Sequence, residues 1–83
     1  MGFAPTTMTM SDAATAMQDG VEAIRRGMTT IDLTHLTHFD SSAVSTLVAW
    51  QRAAAEKSVN LQLVGLPAGL HSLAQLYGVD VLL

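Results

Sequence analysis

The sequence predicts a small α/β domain in which a mostly parallel sheet of about four strands is flanked by three helices. Three observations predict it. The stretches 28–33 and 59–64 alternate apolar and polar residues with period 2, as half-buried strands do. Residues 12–26, 41–57 and 67–77 carry apolar side chains at helical spacing instead. The two patterns alternate along the chain, and strands separated by helices pair in parallel. With no internal repeat, linker or low-complexity stretch, residues 1–83 are expected to form one domain.

Taken in order, residues 3–10 read as a strand, with Pro5 near its start in a position that suits a sheet edge. Ser11-Asp12 offers a helix cap. Ala14, Met17, Val21 and Ile24 then form an apolar face. Gly20 weakens this helix by about 1 kcal/mol relative to alanine, and Asp19-Gly20 is a point where it could break in two. Arg25-Arg26 suits the negative end of the helix and Gly27 stops it. The second strand, 28–33, leads into a loop holding His35 and His38, and Asp40 then caps the central helix.

On that central helix Val44, Leu47, Val48, Gln51, Ala54 and Ala55 share one side, with Trp50 at its border. The opposite side carries Ser42, Thr46, Ala49 and Ala53, a small and nearly uncharged face where a solvated helix usually carries Glu and Lys. A third strand, 59–64, follows Ser58. Gly65-Leu66-Pro67 turns into the last helix, where Leu70, Leu73, Ala74 and Tyr77 make a stripe and Gly78 ends it. The tail 79–83 is a strand fragment or a segment packed on the domain. The expected core is Leu33, Val44, Leu47, Val48, Leu61, Leu63, Leu70 and Leu73.

Composition narrows the function. There is no cysteine, which removes disulfides, zinc–thiolate sites and thiol nucleophiles. The net charge is −3 and the four basic residues are scattered, so nucleic acid is not expected as a partner. No charged segment followed by an apolar run suggests a signal peptide, and no apolar stretch is long enough to span a bilayer. Met1-Gly2-Phe3-Ala4-Pro5-Thr6 matches the loose N-myristoylation pattern and is read as a chance match. A soluble domain with few charges to cover its surface suits a permanent partner.

His35 and His38 lie in one loop without a third ligand nearby, so no metal site and no cofactor are expected. A triad of Ser41, His38 and Asp32 can be written on paper, but no Gly-x-Ser-x-Gly elbow accompanies it and no catalytic residue is assigned. Asp40-Ser41-Ser42 has two readings. One is plain capping chemistry, for which Ser and Asp are common. The other is a phosphorylatable serine, Ser41, at a helix mouth, where ~1.5–2 added negative charges would alter a docking surface.

Ile31-Asp32-Leu33, Phe39-Asp40-Ser41-Ser42-Ala43-Val44 and Leu61-Gln62-Leu63-Val64-Gly65-Leu66-Pro67 together resemble the STAS domains, the anti-sigma-factor antagonists and their relatives. The likeness runs from about Ser11 to Leu83. Within the family, Leu73-Ala74-Gln75-Leu76-Tyr77-Gly78-Val79 is similar to the MlaB-type subunit of the Mla phospholipid ABC transporter. The resemblance implies a STAS-like (SpoIIAA-like) α/β fold with a mixed four-stranded sheet and about three helices, no catalysis, and function by docking. Ser41 matches the serine that anti-sigma kinases phosphorylate, which lies at the partner interface. Ala43 stands where the family usually has glycine, and residues 3–10 leave room for about one strand where the family opens on a hairpin.

The expected function is a subunit that binds and stabilises or regulates the ATPase of an ABC transporter for phospholipid trafficking, in the cytoplasm and peripheral to the inner membrane only through that complex. The alternative is an anti-sigma-factor antagonist whose partner is a kinase-like anti-sigma factor acting on Ser41. The expected partner-binding residues are Asp40, Ser41, Ser42, Thr46, Ala49, Trp50 and Ala53.

Overall fold

In the computed structural model, which describes residues 4–82, the elements run β1 (Thr7–Met8), α1 (Ala13–Arg25), β2 (Thr30–Asp32), β3 (His38–Phe39), α2 (Ser41–Glu56), β4 (Gln62–Val64), α3 (Ala68–Leu76) and a closing 3-10 turn (Asp80–Leu82). The start of the expected first strand, the Met1-Gly2-Phe3 part of the myristoylation pattern and the end of the tail lie outside the described residues. The three helices fall within a residue of their expected bounds at each end. All three stop the same way. Gly27, Ser58 and Gly78 take positive φ, and the N–H groups of Met28, Val59 and Val79 reach back to the carbonyls of Ala23, Ala54 and Ala74.

The strands pair differently from expectation. β1 lies parallel to β3, with Thr7 opposite His38 and Met8 opposite Phe39, and β2 lies parallel to β4, with Ile31 opposite Leu63. These are two separate two-stranded ladders, and every pairing among the described residues is parallel, so a mixed four-stranded sheet is not what the chain shows. The cause lies in the stretch 33–37, read from sequence as the end of a strand and a loop. Leu33 N–H still bonds the Val64 carbonyl, the chain turns, and Thr37 N–H bonds the Thr6 carbonyl, so five residues step the backbone from one ladder to the other. Leu36, within that step, is buried.

The core lies where α1, α2 and α3 cover the strands. Leu33, Val44, Leu47, Leu61 and Leu70 are buried as expected, while Val48, Leu63 and Leu73 are only half-buried. Met8, Ile24, Ile31 and Trp50 complete the large buried side chains. The apolar face of α1 is rotated from the expected one: Ala13, Ala16, Gly20 and Ile24 are buried, Met17 and Val21 half-buried and Ala14 exposed.

The rotation has a physical reason. α1 packs against α2, and the small side chains on α1 let the two helices approach until Trp50 fills the space over Gly20. A Cβ at Gly20 would overlap the indole, with Cδ1 only 2.9 Å away. Trp50 Nε1–H donates to the Met17 carbonyl at 3.2 Å, which satisfies the one polar group of a fully buried tryptophan. Gly20 therefore leaves α1 continuous over its 13 residues and is the residue that seats the neighbouring helix.

Candidate docking groove

The site begins at Asp40, whose extended backbone ends β3 and opens α2. Its carboxylate accepts two backbone N–H groups, from Ser42 at 2.8 Å and from Met10 at 2.9 Å. One bond caps α2; the other ties the segment after β1 to the same point. The Ser42 N–H, then the Met10 N–H, hold the Asp40 carboxyl below its ordinary value. Asp12 mirrors this arrangement one element earlier. It accepts from the Thr7 hydroxyl and from the Thr9 N–H at 2.6 Å, and these bonds, the Thr7 hydroxyl first, lower its pKa too. The carboxylate expected to cap α1 thus faces back to the strand end, and no side-chain cap bond reaches α1.

Ser41 is exposed at the mouth of α2 and Ser42 is half-buried beside it. From there an open groove of about 720 Å³ runs over α2. Ser41, Ser45, Val48, Ala49 and Arg52 lie along it, Val21 and Arg25 of α1 line it, and so do Tyr77 and Val79 of the C-terminal segment. Tyr77, at the end of the stripe expected on α3, is exposed.

Three of the expected docking residues are buried. Thr46 and Trp50 are fully buried, and Ala53 is buried with only an edge on the groove. Thr46 Oγ1 donates to the Ser42 carbonyl one turn back, so its hydroxyl is consumed within the helix. Of the small, uncharged stripe read as an open face, Thr46 and Ala53 are enclosed, and Trp50 at its border packs over Gly20 of α1. Asp40, Ser41, Ser42 and Ala49 remain at the surface or half-exposed, and Ser41, Ser42 and Ala49 line the groove. Ala43, in place of the usual glycine, is fully buried in the first turn of α2 and fits there without positive φ.

Sequence reasoning missed Ser45, Val48, Arg52, Val21 and Arg25. A signal for them was present. Arg52 and Glu56 are the only charged residues within α2, so they mark its wet side, and stepping back from Arg52 by helical turns leads to Val48, Ser45 and Ser41.

The paper triad does not assemble. The Asp32 carboxylate accepts from the Thr34 hydroxyl and, at 2.9 Å, from the Thr34 N–H, which lower its pKa, and His38 Nδ1 lies 3.0 Å from Thr37 Oγ1. His35, His38 and His71 are exposed, and among the described residues no three His, Cys, Asp or Glu side chains group as a metal site would require. No helix is long and apolar enough to cross a membrane among the described residues.

A family model described as "Mlab, STAS domain" matches residues 6–83, nearly the whole chain. No curated protein and no solved structure matches it. The chain belongs to the STAS-domain family named for MlaB, and membership supports a protein-interaction role of STAS type.

Proposed function

We propose, from that membership, that this domain is a non-catalytic subunit that docks on the ATPase of an ABC transporter engaged in phospholipid trafficking. It stabilises or regulates that ATPase, and it works in the cytoplasm, at the inner face of the inner membrane through the complex. The observation that carries the reading is the groove over α2, which opens at Ser41 and is lined along the helix by Ser45, Val48 and Ala49. Small side chains of this kind let a partner come close without stranding a charge out of water. The helix that bears them packs against α1, whose Val21 and Arg25 also line the groove, so the surface is formed within the free domain.

The test is co-purification with the ATPase of an MlaB-type ABC transporter from the same genome, using the parent, Ser45→Glu and Ala49→Glu. Both substitutions lie on the groove, where a glutamate is hydrated in the free domain and would crowd a closely fitting partner in the complex. The expected result is loss of the ATPase with unchanged thermal unfolding. Normal folding with undiminished binding by both variants would place the contact elsewhere.

A second reading rests on Ser41. It is exposed at the helix mouth, where the dipole of α2 favours a phosphate and the Asp40 carboxylate one residue before it opposes one. On this reading the domain is an anti-sigma-factor antagonist whose Ser41 is phosphorylated by a kinase-like anti-sigma factor. Recovery of a serine kinase in place of an ATPase, with phosphate mapped to Ser41, would favour it over the first.

A further inference from the structure

We infer that the partner meets this groove with an acidic segment whose apolar residues cover its middle and whose carboxylates seat on Arg25 and Arg52. The inference rests on the docking reading above and names the chemistry of what docks. The groove divides along its length. Ser41 and Ser45 lie toward its start, Val21, Val48, Ala49, Tyr77 and Val79 give it apolar lining, and Arg25 and Arg52 are contributed by two different helices.

Charge sets this surface apart from the rest of the chain. The groove holds two arginines against Glu56, whereas the remainder of the chain carries six acidic residues against Arg26 and Lys57. Arg26 is already paired with Glu22 at 2.6 Å. Arg25 and Arg52 are exposed and have no ion-pair partner among the described residues. A guanidinium offers a planar fork that matches a carboxylate, so two of them beside an apolar strip select a segment both acidic and greasy. A free anion would gain nothing from Val21, Val48 and Tyr77, and a purely apolar segment would bury two unpaired cations. α2 spans about 24 Å at 1.5 Å per residue, enough for several turns of a partner helix to lie along it.

The experiment measures affinity for the same ATPase with two charge-reversed pairs. R25E/R52E removes the two groove cations. R26E/K57E makes the same change in net charge outside the groove. Both pairs are exposed, and thermal unfolding checks that each variant folds. R25E/R52E should weaken binding at least about tenfold and flatten its dependence on salt, while R26E/K57E should stay within about threefold of the parent. Equal effects of the two pairs, or no effect of either, would overturn the inference. If Ala49→Glu abolishes binding while R25E/R52E does not, docking stands and the acidic partner falls. If Ala49→Glu is also without effect, the docking reading falls with it. Co-sedimentation with vesicles of equal phosphatidylglycerol and phosphatidylcholine is the last arm. Arginine-dependent binding to those vesicles, with ATPase affinity unchanged in R25E/R52E, would assign the pair to a lipid surface and overturn the inference.

Discussion

The two long sides of α2 are built from similar residues and meet opposite fates. One side presents Ala43, Thr46, Trp50 and Ala53, all buried, and the other presents Ser41, Ser45, Val48 and Ala49, exposed or half-exposed along a groove. Both are small and nearly uncharged apart from Trp50. α1 packs against α2 with Trp50 over Gly20 on the first side, while Val21 and Arg25 of α1 line the second, which stays open. A stripe of Ser, Thr and Ala on a helix therefore leaves room for something to come close. It does not state whether that something is the same chain or another.

Neighbouring residues separate the two sides most strongly. Thr46→Glu would bury a carboxylate at a fully enclosed position and should cost about 4 kcal/mol or more, close to the whole stability of so small a domain. Ser45→Glu, one residue earlier and exposed, should leave the melting temperature nearly unchanged. Thermal unfolding followed by circular dichroism reads both, and similar melting temperatures would mean that the two sides are not distinct.

Gly20→Ala comes next in size, and its sign is informative. At an open helical position the change stabilises by up to ~1 kcal/mol, but against the Trp50 indole it should destabilise by about 1–3 kcal/mol. Combining it with Trp50→Phe, which shrinks the ring, should cost less than the two single changes added together. A stabilised Gly20→Ala protein would show that α1 and α2 stand further apart than described.

Asp40→Ala should have a smaller effect, and one that depends on pH. The bonds from Ser42 and Met10 lower the folded-state pKa of Asp40 below its ordinary 3.8. Its contribution is therefore present above that ordinary value and is lost as pH falls through the folded pKa. Denaturant midpoints of parent and variant should differ at neutral pH and converge as the medium is acidified below about 4. A gap independent of pH would mean that the carboxylate does not hold this corner. The smallest effect belongs to Ala49→Glu, which should shift the stability of the free domain by no more than about 0.5 kcal/mol.

Much of this architecture is legible in the residues. The helices follow from their apolar spacing and from the stops at Gly27 and Gly78, and Asp40 was readable as the cap of α2 from its place before Ser41 and Ser42. The two ladders were not legible, because strands of two or three residues are too short for a period to declare itself, and His38–Phe39 lies in a run punctuated by Thr and His. The groove was half legible: Ser41, Ser42 and Ala49 were found from α2 alone. The burial of Thr46, Trp50 and Ala53 was not legible, because a helical wheel shows which residues share a side, and it cannot show that two sides are covered at once. Gly20 was read as a weakness for the same reason, since its use depends on a side chain 30 positions away.

Trp50 is the only tryptophan of the chain, and it is enclosed beneath α1. Its emission accordingly reports one event selectively. Separation of α1 from α2 would admit water to the indole and shift the fluorescence to the red. A partner settling in the groove would touch the far side of the same helix and leave the spectrum where it was. The protein thus carries an optical gauge of its own integrity, and every binding variant can be checked with it without a label.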